Sequence, residues 1–316
     1  MTRQNELRLM VKIATLYHNE GMKQTEIAST LNLSQSFVSR ALNRSVKEGI
    51  VKISVVQPPN VFSELERGIE QRYGLQQAII VDVPEDEEGG AVRQAIGAAA
   101  AHYLETRLRP HELVGVSSWS STIKAMVSEL HPLTVQAAGV IQLLGGVGVN
   151  GNAQATMLTQ GLADMLSCKA WLLPAQSLEG SVDSRDLLEA DSDVRQVLEK
   201  FNDVTLALVG IGDMEPSQLL RYSGNYYDKS MLDRLAARGA VGDICLHYYD
   251  AAGQPVLQTS EDPAVGIKLE QLKHCPHVVA LAGGRQKAAA IQGALQGGYL
   301  NVLITDYPTA RLLIAG

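Results

Sequence analysis

Hydroxyls, glycine backbones and a few isolated charges, set at the ends of apolar runs, are the groups in this chain that could do chemistry. Ser117, Ser118, Trp119, Ser120, Ser121 and Thr122 follow the apolar run LVGVS and precede a helical pattern. Hydroxyls and backbone N–H groups at a helix start suit a phosphate or sugar oxygen, and an indole can shield such a site or stack on a sugar ring. Gly145 and Gly146, followed by Asn150, Asn152 and Gln154, combine close backbone approach with amides that bond hydroxyls. Asp243, in GAVGDIC, either accepts from sugar hydroxyls or caps a turn. Lys287, in GGRQK, stands near a helix start, where a cation is disfavoured unless an anion is present. It is either a phosphate or hydroxyl ligand or a solvated lysine. These groups bind; they do not assemble a reaction. Gly210-Ile211-Gly212-Asp213 lacks the third glycine of a dinucleotide fingerprint, and there is no phosphate P-loop. No Ser–His–Asp arrangement and no metal-ligand spacing of His or Cys is present. No catalytic residue, metal or cofactor is therefore expected.

A different chemistry is written in Lys23 to Val46, KQTEIASTLNLSQSFVSRALNRSV. Ile27, Ala28 and Leu31 form an apolar stripe, Asn32 tolerates the left-handed backbone that ends a helix, and Ser34 is a good N-cap. In the helix beginning at Gln35, Val38, Ala41, Leu42 and Ser45 fall on one side. Ser36, Arg40, Asn43 and Lys47 fall on the other, with Ser39 beside them. A polar, basic helix face of this kind fits a DNA major groove. The expected DNA contacts are Gln35, Ser36, Ser39, Arg40, Asn43 and Arg44. The competing possibility is a helical hairpin with a solvated polar face.

The elements that must hold these groups follow from pattern. Leu7, Met10, Ile13 or Ala14, and Tyr17 recur at helical spacing and end near Gly21, completing a three-helix head. IVKISVVQ alternates like a strand or small wing, and Pro58-Pro59 breaks the chain. Residues 61–74 carry Val61, Leu65 and Ile69 at four-residue intervals, a linker helix that packs on its own copy or on the next domain. From Ala78 onward, short apolar runs alternate with helical patterns: AIIVDV, LVGVS, VIQLL, KAWLL, VTLALV, ICLHYY, VVALA and NVLIT. Runs apolar throughout are strands covered on both faces, the mark of a doubly wound, mostly parallel α/β sheet. His247 falls in one such run, where a satisfied core histidine is expected.

Charge separates the two parts. The chain of 316 residues carries a net −7, but residues 1–57 hold eight basic and four acidic side chains, a local +4 that leaves −11 for the rest. A basic head on an acidic body fits a local nucleic-acid contact rather than a generally adhesive protein, and so small an excess calls for more than one head per site. The three cysteines are scattered, as buried free thiols are. No run is apolar enough to span a bilayer, and MTRQNELRLM lacks the apolar core of a secretory signal, so the expected location is cytoplasmic.

In order along the chain, KQTEIASTLNLS, VSRAL and EGIVKI, then VGVSSW, QLLGG, LALVGIGD, RGAVGDIC, YDAAG, LAGGRQKAAAIQGALQGG and NVLITDYPTARLL resemble the SorC family of bacterial sugar-responsive regulators, sometimes grouped with DeoR-like regulators. The resemblance covers nearly the whole chain. It implies a winged helix-turn-helix head (residues 1–57), a linker helix (58–74) and an effector and oligomerisation domain (75–316) related to the sugar-phosphate isomerase fold. It also implies a homotetramer, a dimer of dimers, that binds operator DNA and responds to a small sugar, polyol or sugar phosphate. The matching ligand loop is Ser117 to Thr122, with Gly145, Asn152, Asp243 and Lys287 around it. Two departures stand out. Trp119 is followed by Ser120 and Ser121, where many members have a Gly and then a basic residue, which leaves room for a neutral ligand. Asn32 replaces the glycine common in the turn of the head. The alternative function is a sugar-phosphate isomerase-like enzyme with an added DNA-binding head.

Overall fold

The computed structural model describes residues 3–51, 61–84, 89–147 and 151–315. Two compact units emerge, Met1–Pro58 and Pro59–Gly316. In the first, α1 (Arg3–His18), α2 (Gln24–Leu31) and α3 (Gln35–Lys47) enclose a core of Met10, Ile13, Ala14, Ile27, Ala28, Val38, Ala41 and Leu42. Local chemistry sets the helix ends. Glu26 reaches back to accept from the Lys23 amide at 3.0 Å at the start of α2. Asn32 ends α2 in the left-handed conformation (φ 53°), and Ser34 Oγ accepts from the Phe37 amide at 3.2 Å to start α3. From Lys52 onward the expected wing strand lies outside the described residues.

The second unit runs α4 (Ser63–Tyr73), β1 (Gln77–Val81), α5 (Gly90–Arg107), β2 (Leu113–Val116), α6 (Ser121–Glu129), β3 (Gly139–Gln142), α7 (Gly151–Met165), β4 (Ala170–Trp171), α8 (Val182–Glu189) and α9 (Ser192–Glu199). It continues through β5 (Leu206–Gly210), α10 (Gln218–Ser223), α11 (Lys229–Ala237), β6 (Ala240–Ile244), β7 (His247–Asp250), α12 (Leu269–His274), β8 (His277–Leu281), α13 (Ala288–Gln296), β9 (Val302–Asp306) and α14 (Tyr307–Ala315). Among the described residues, seven strands form one parallel sheet in the order β1-β9-β8-β5-β2-β3-β4.

The apolar runs are explained by two cores, one on each face. In β5, Leu206 and Leu208 face one core while Ala207 and Val209 face the other; β8 divides Val279 and Leu281 from Val278 and Ala280 in the same way. A strand with period-two side chains buried on both faces is apolar at most positions instead of alternating. One cover is α5, α6 and α7; the other includes α4, α12, α13 and α14. Helix α4, expected as a linker, packs within this unit through fully buried Ile69.

One strand expectation is corrected. ICLHYY is not a strand of the sheet. It turns back between β6 and β7, an antiparallel hairpin, with Cys245 (φ 52°) and Leu246 (φ 66°) as the two turn residues. Two consecutive positive φ values match the turn whose twist suits a hairpin.

The close approach of α5 to α6 depends on Gly97. A Cβ there would fall 2.8 Å from both Ala125 Cβ and the Met126 amide nitrogen. Backbone cannot yield as a flexible side chain can. Gly97→Ala is expected to destabilise the protein by about 2 kcal/mol, read as a lower urea midpoint with unchanged slope.

Candidate functional site

The strand order reverses between β2 and β5: β2 is followed in the chain by β3 on one side, whereas β5 lies on its other side. Loops leaving these two strands diverge, and in an open α/β sheet the crevice beyond such a reversal is where ligands bind. A cavity of about 340 Å³ lies there. Its walls come from the loops after β2, β5 and β8, from the β6–β7 hairpin and from the first turn of α5.

The hydroxyl loop divides into two roles. Ser117, Trp119, Ser120, Ser121 and Thr122 line the cavity. Ser120 Oγ accepts from the Ile123 amide at 3.3 Å as the N-cap of α6, and a Cβ on Gly210 would approach that oxygen to 2.7 Å, so glycine admits the cap beside β5. Ser118 is not on the wall; its hydroxyl pairs with Thr159 Oγ1 at 3.0 Å in the interior. Gly145 is also off the wall. Its carbonyl accepts from Trp119 Nε1 at 3.0 Å and from the Ser177 hydroxyl, which fixes the indole's orientation at the cavity. The side chain of Asn152 lies outside the described residues, as does Asn150.

Asp243 lies within β6. It performs the turn-capping role and also lines the cavity: Oδ2 accepts from the Leu246 amide at 2.9 Å, across the two left-handed residues. Its backbone bridges that of Gly212 in both directions, at 3.0 and 3.1 Å. A Cβ on Gly212 would come within 2.0 Å of Asp243 Oδ1, so only glycine fits against the carboxylate. Burial pushes the Asp243 carboxyl up to about 6, in spite of the Leu246 amide and Lys287. Lys287, half-buried, donates from Nζ to the Ile211 carbonyl at 2.6 Å. Burial lowers its pKa, and Asp213 and Asp243 oppose that shift.

Of the ten residues expected around a ligand, the cavity gathers Ser117, Trp119, Ser120, Ser121, Thr122, Asp243 and Lys287. It adds residues outside that set: Arg93, Asp213, Glu215, Ser217 and Gln286. Arg93 carried a usable signal. It is a cation in the first turn of α5, the same dipole argument that singled out Lys287. Three carboxylates and two cations then share one cavity with several hydroxyls and Trp119. Such an array can bond several hydroxyls through charged acceptors and still meet an anionic group. His247, expected as a satisfied core residue, is satisfied at one nitrogen only: Nδ1 pairs with Asp262 at 2.5 Å, and buried Nε2 has no partner among the described residues.

In the head, α3 buries Val38, Ala41, Leu42 and Ser45 and leaves Gln35, Ser36, Arg40 and Asn43 exposed, with Ser39 half-buried. Arg44 is exposed but engaged: Nε pairs with Glu48 at 2.5 Å and Nη1 lies 3.6 Å from Glu6. No helix among the described residues is long and apolar enough to cross a membrane, and none of their His, Cys, Asp and Glu side chains cluster as a metal site.

Comparison with known proteins agrees over the full length. Residues 57–315 match the Sugar-bind family, described as "Putative sugar-binding domain". The deoxyribonucleoside regulator of Bacillus subtilis (strain 168) is 30% identical over 308 residues, covering 97% of each chain. The full-length sorbitol operon regulator SorC of Klebsiella pneumoniae superposes with a TM-score of 0.71 at 28% identity, over 98% of this chain and 99% of that one. The sugar-binding domain of a DeoR regulator from Pseudomonas syringae pv. tomato is 46% identical, with a TM-score of 0.63, over 79% of this chain and 97% of that one. Sequence motifs, sheet topology and kinship converge, and the chain belongs to the SorC family of sugar-responsive transcriptional regulators.

Proposed function

We propose that the cavity beyond β2 and β5 holds a small sugar, polyol or sugar phosphate, and that its occupancy sets the affinity of the head for operator DNA. The observation that carries this reading is the convergence of Ser120, Ser121, Thr122, Asp213, Asp243, Arg93 and Lys287 on one cavity of about 340 Å³. Carboxylates accept from ligand hydroxyls, Trp119 covers a sugar face, and Arg93 with Lys287 faces a phosphate where one is present. The head, residues 1–57, is a winged helix-turn-helix whose α3 enters the major groove with Gln35, Ser36, Ser39, Arg40 and Asn43, and Arg44 contributes once released from Glu48. Residues 58–74 link it to an effector and oligomerisation domain, 75–316, related to the sugar-phosphate isomerase fold. The assembly is a cytoplasmic homotetramer, a dimer of dimers, in which paired heads meet two half-sites together. No step of catalysis is assigned to it.

The relatives support the choice of candidates: one is named for a sorbitol operon and one for deoxyribonucleosides. A thermal-shift screen of sorbitol, sorbitol 6-phosphate, deoxyribose 5-phosphate and further pentoses, hexoses and their phosphates tests the cavity. A ligand at a hundredfold excess over its Kd adds about 2.7 kcal/mol of stability, and one compound class is expected to do so. A second reading, an isomerase-like enzyme, draws on Asp243 and Lys287 sharing the cavity. Turnover of pentose or hexose phosphates that is abolished in Asp243→Ala would favour it.

A further inference from the structure

A buried side chain ties the loop beyond β8 to the last helix. Asp306, at the end of β9, accepts from the Gly284 amide at 2.6 Å through Oδ2. The same carboxylate caps α14: Oδ2 accepts from Thr309 Oγ1 at 2.7 Å and Oδ1 from the Thr309 amide at 3.0 Å. Asp306 and Thr309 are essentially inaccessible to solvent. The fit is tight, since a Cβ on Gly283 would lie 2.2 Å from Asp306 Oδ2. A displacement of the Gly283–Gly284 turn toward a ligand therefore pulls on the N-terminus of α14.

From there the connection continues into α4. Tyr307, the first residue of α14, stacks on Phe62, which precedes α4, with centroids 4.5 Å apart and planes 24° off parallel. At the far ends of the same two helices, Tyr73 donates to the Leu313 carbonyl at 2.8 Å and Arg72 to the Ile314 carbonyl at 2.6 Å. On its other side, α4 is fastened to the sheet. Glu66 accepts from the Ile80 amide at 3.0 Å and Glu70 from the Ala78 amide at 2.9 Å. β1 is an edge strand, and these two carboxylates occupy amides that would otherwise be free to pair with another chain. Helix α4 is the first described element after the head in the chain.

We propose that Asp306 is a positioning residue that joins the cavity wall to the α14–α4 pair, making them one cooperative unit through which ligand occupancy reaches the segment leading to the head. The proposal rests on the cavity being the effector site, but its test does not require a ligand. Amide hydrogen exchange on the full-length protein, followed by mass spectrometry, reads it in both directions. Asp306→Asn places an amide donor against the Gly284 and Thr309 donors. It is expected to raise exchange in 63–73 and 307–315 about tenfold, with less than about a twofold change in α11. Because coupling is reciprocal, Phe62→Leu is expected to raise exchange in the 283–287 turn, at the opposite end of the path. If Asp306→Asn does not fold, Phe62→Leu decides alone. A folded Asp306→Asn protein with unaltered α4 exchange overturns the proposal, and so does an unaltered 283–287 turn in Phe62→Leu. Failure of the sugar screen would instead count against the effector reading and leave these exchange results to stand by themselves.

Discussion

Asp243→Asn is expected to yield a protein that is more stable at pH 8 than its parent and that no longer responds to sugar. The carboxyl is buried against Gly212 and beneath the hairpin turn, and burial holds its pKa near 6 instead of 3.8. An acid with a raised pKa is protonated in the folded protein where the unfolded chain has already ionised. Stability therefore falls as pH rises from about 4 to about 6, and above that window the full cost remains, about 3 kcal/mol. Asparagine removes the charge and keeps an oxygen for the Leu246 amide, so much of that cost is recovered. Urea denaturation at pH 8 and pH 5 checks the sign: the variant's advantage is expected at pH 8 and shrinks at pH 5. The same substitution deletes a charged acceptor facing the cavity, and sugar affinity is expected to fall by about 10- to 100-fold, as loss of a charged hydrogen bond does. An Asn variant that is less stable at pH 8 would show that the carboxylate is held there by attraction rather than at a cost.

Arg40→Glu is expected to weaken operator binding by about 100-fold while the head stays folded. Arg40 is exposed on the polar face of α3, whereas Val38, Ala41 and Leu42 are buried, so reversal places no charge in the core. The head loses a cation and gains an anion against phosphate, and the salt dependence of the residual binding becomes shallower. Arg44→Glu is the informative contrast. Arg44 is already paired with Glu48 and Glu6, so its reversal breaks contacts inside the head as well. Circular dichroism of both variants with fluorescence anisotropy on promoter DNA separates the effects. Equal DNA binding by Arg40→Glu and its parent would remove α3 as the reading helix.

How much of this was legible depended on whether local chemistry dictated the outcome. The inner face of α3 could be read residue by residue, because helical period alone selects Val38, Ala41, Leu42 and Ser45. The Asn32 turn and the Ser34 cap were equally local. The parallel sheet was legible from apolar runs without alternation, since both faces are covered. The β6–β7 hairpin was not. Its turn residues are Cys245 and Leu246, neither of which signals a turn, and the support comes from the Asp243 side chain. Ile, His and Tyr around them read as one continuous strand. In the cavity, Asp243 and Lys287 stood out because each is a charge beside glycine or a helix start. Asp213 was visible only as the end of an incomplete glycine motif, and Arg93 lies far away in the chain, brought in by the crossover from β1 to β2. Gly145 was read as a backbone that a ligand could approach closely; what approaches it is the Ala175–Gln176 backbone, while its carbonyl holds Trp119. The tie from Gly284 through Asp306 to α4 spans over two hundred residues of chain and has no sequence signature at all.

The most direct test of the account is fluorescence anisotropy of labelled DNA from upstream of the protein's own gene, titrated with the full-length protein. The titration is run at low salt, with and without a saturating amount of the sugar selected by thermal shift. Specific binding whose affinity changes about tenfold or more on adding that sugar, with the change lost in Asp243→Asn, is the predicted result. An affinity identical with and without the stabilising sugar, or no binding to that DNA at low salt, would contradict it.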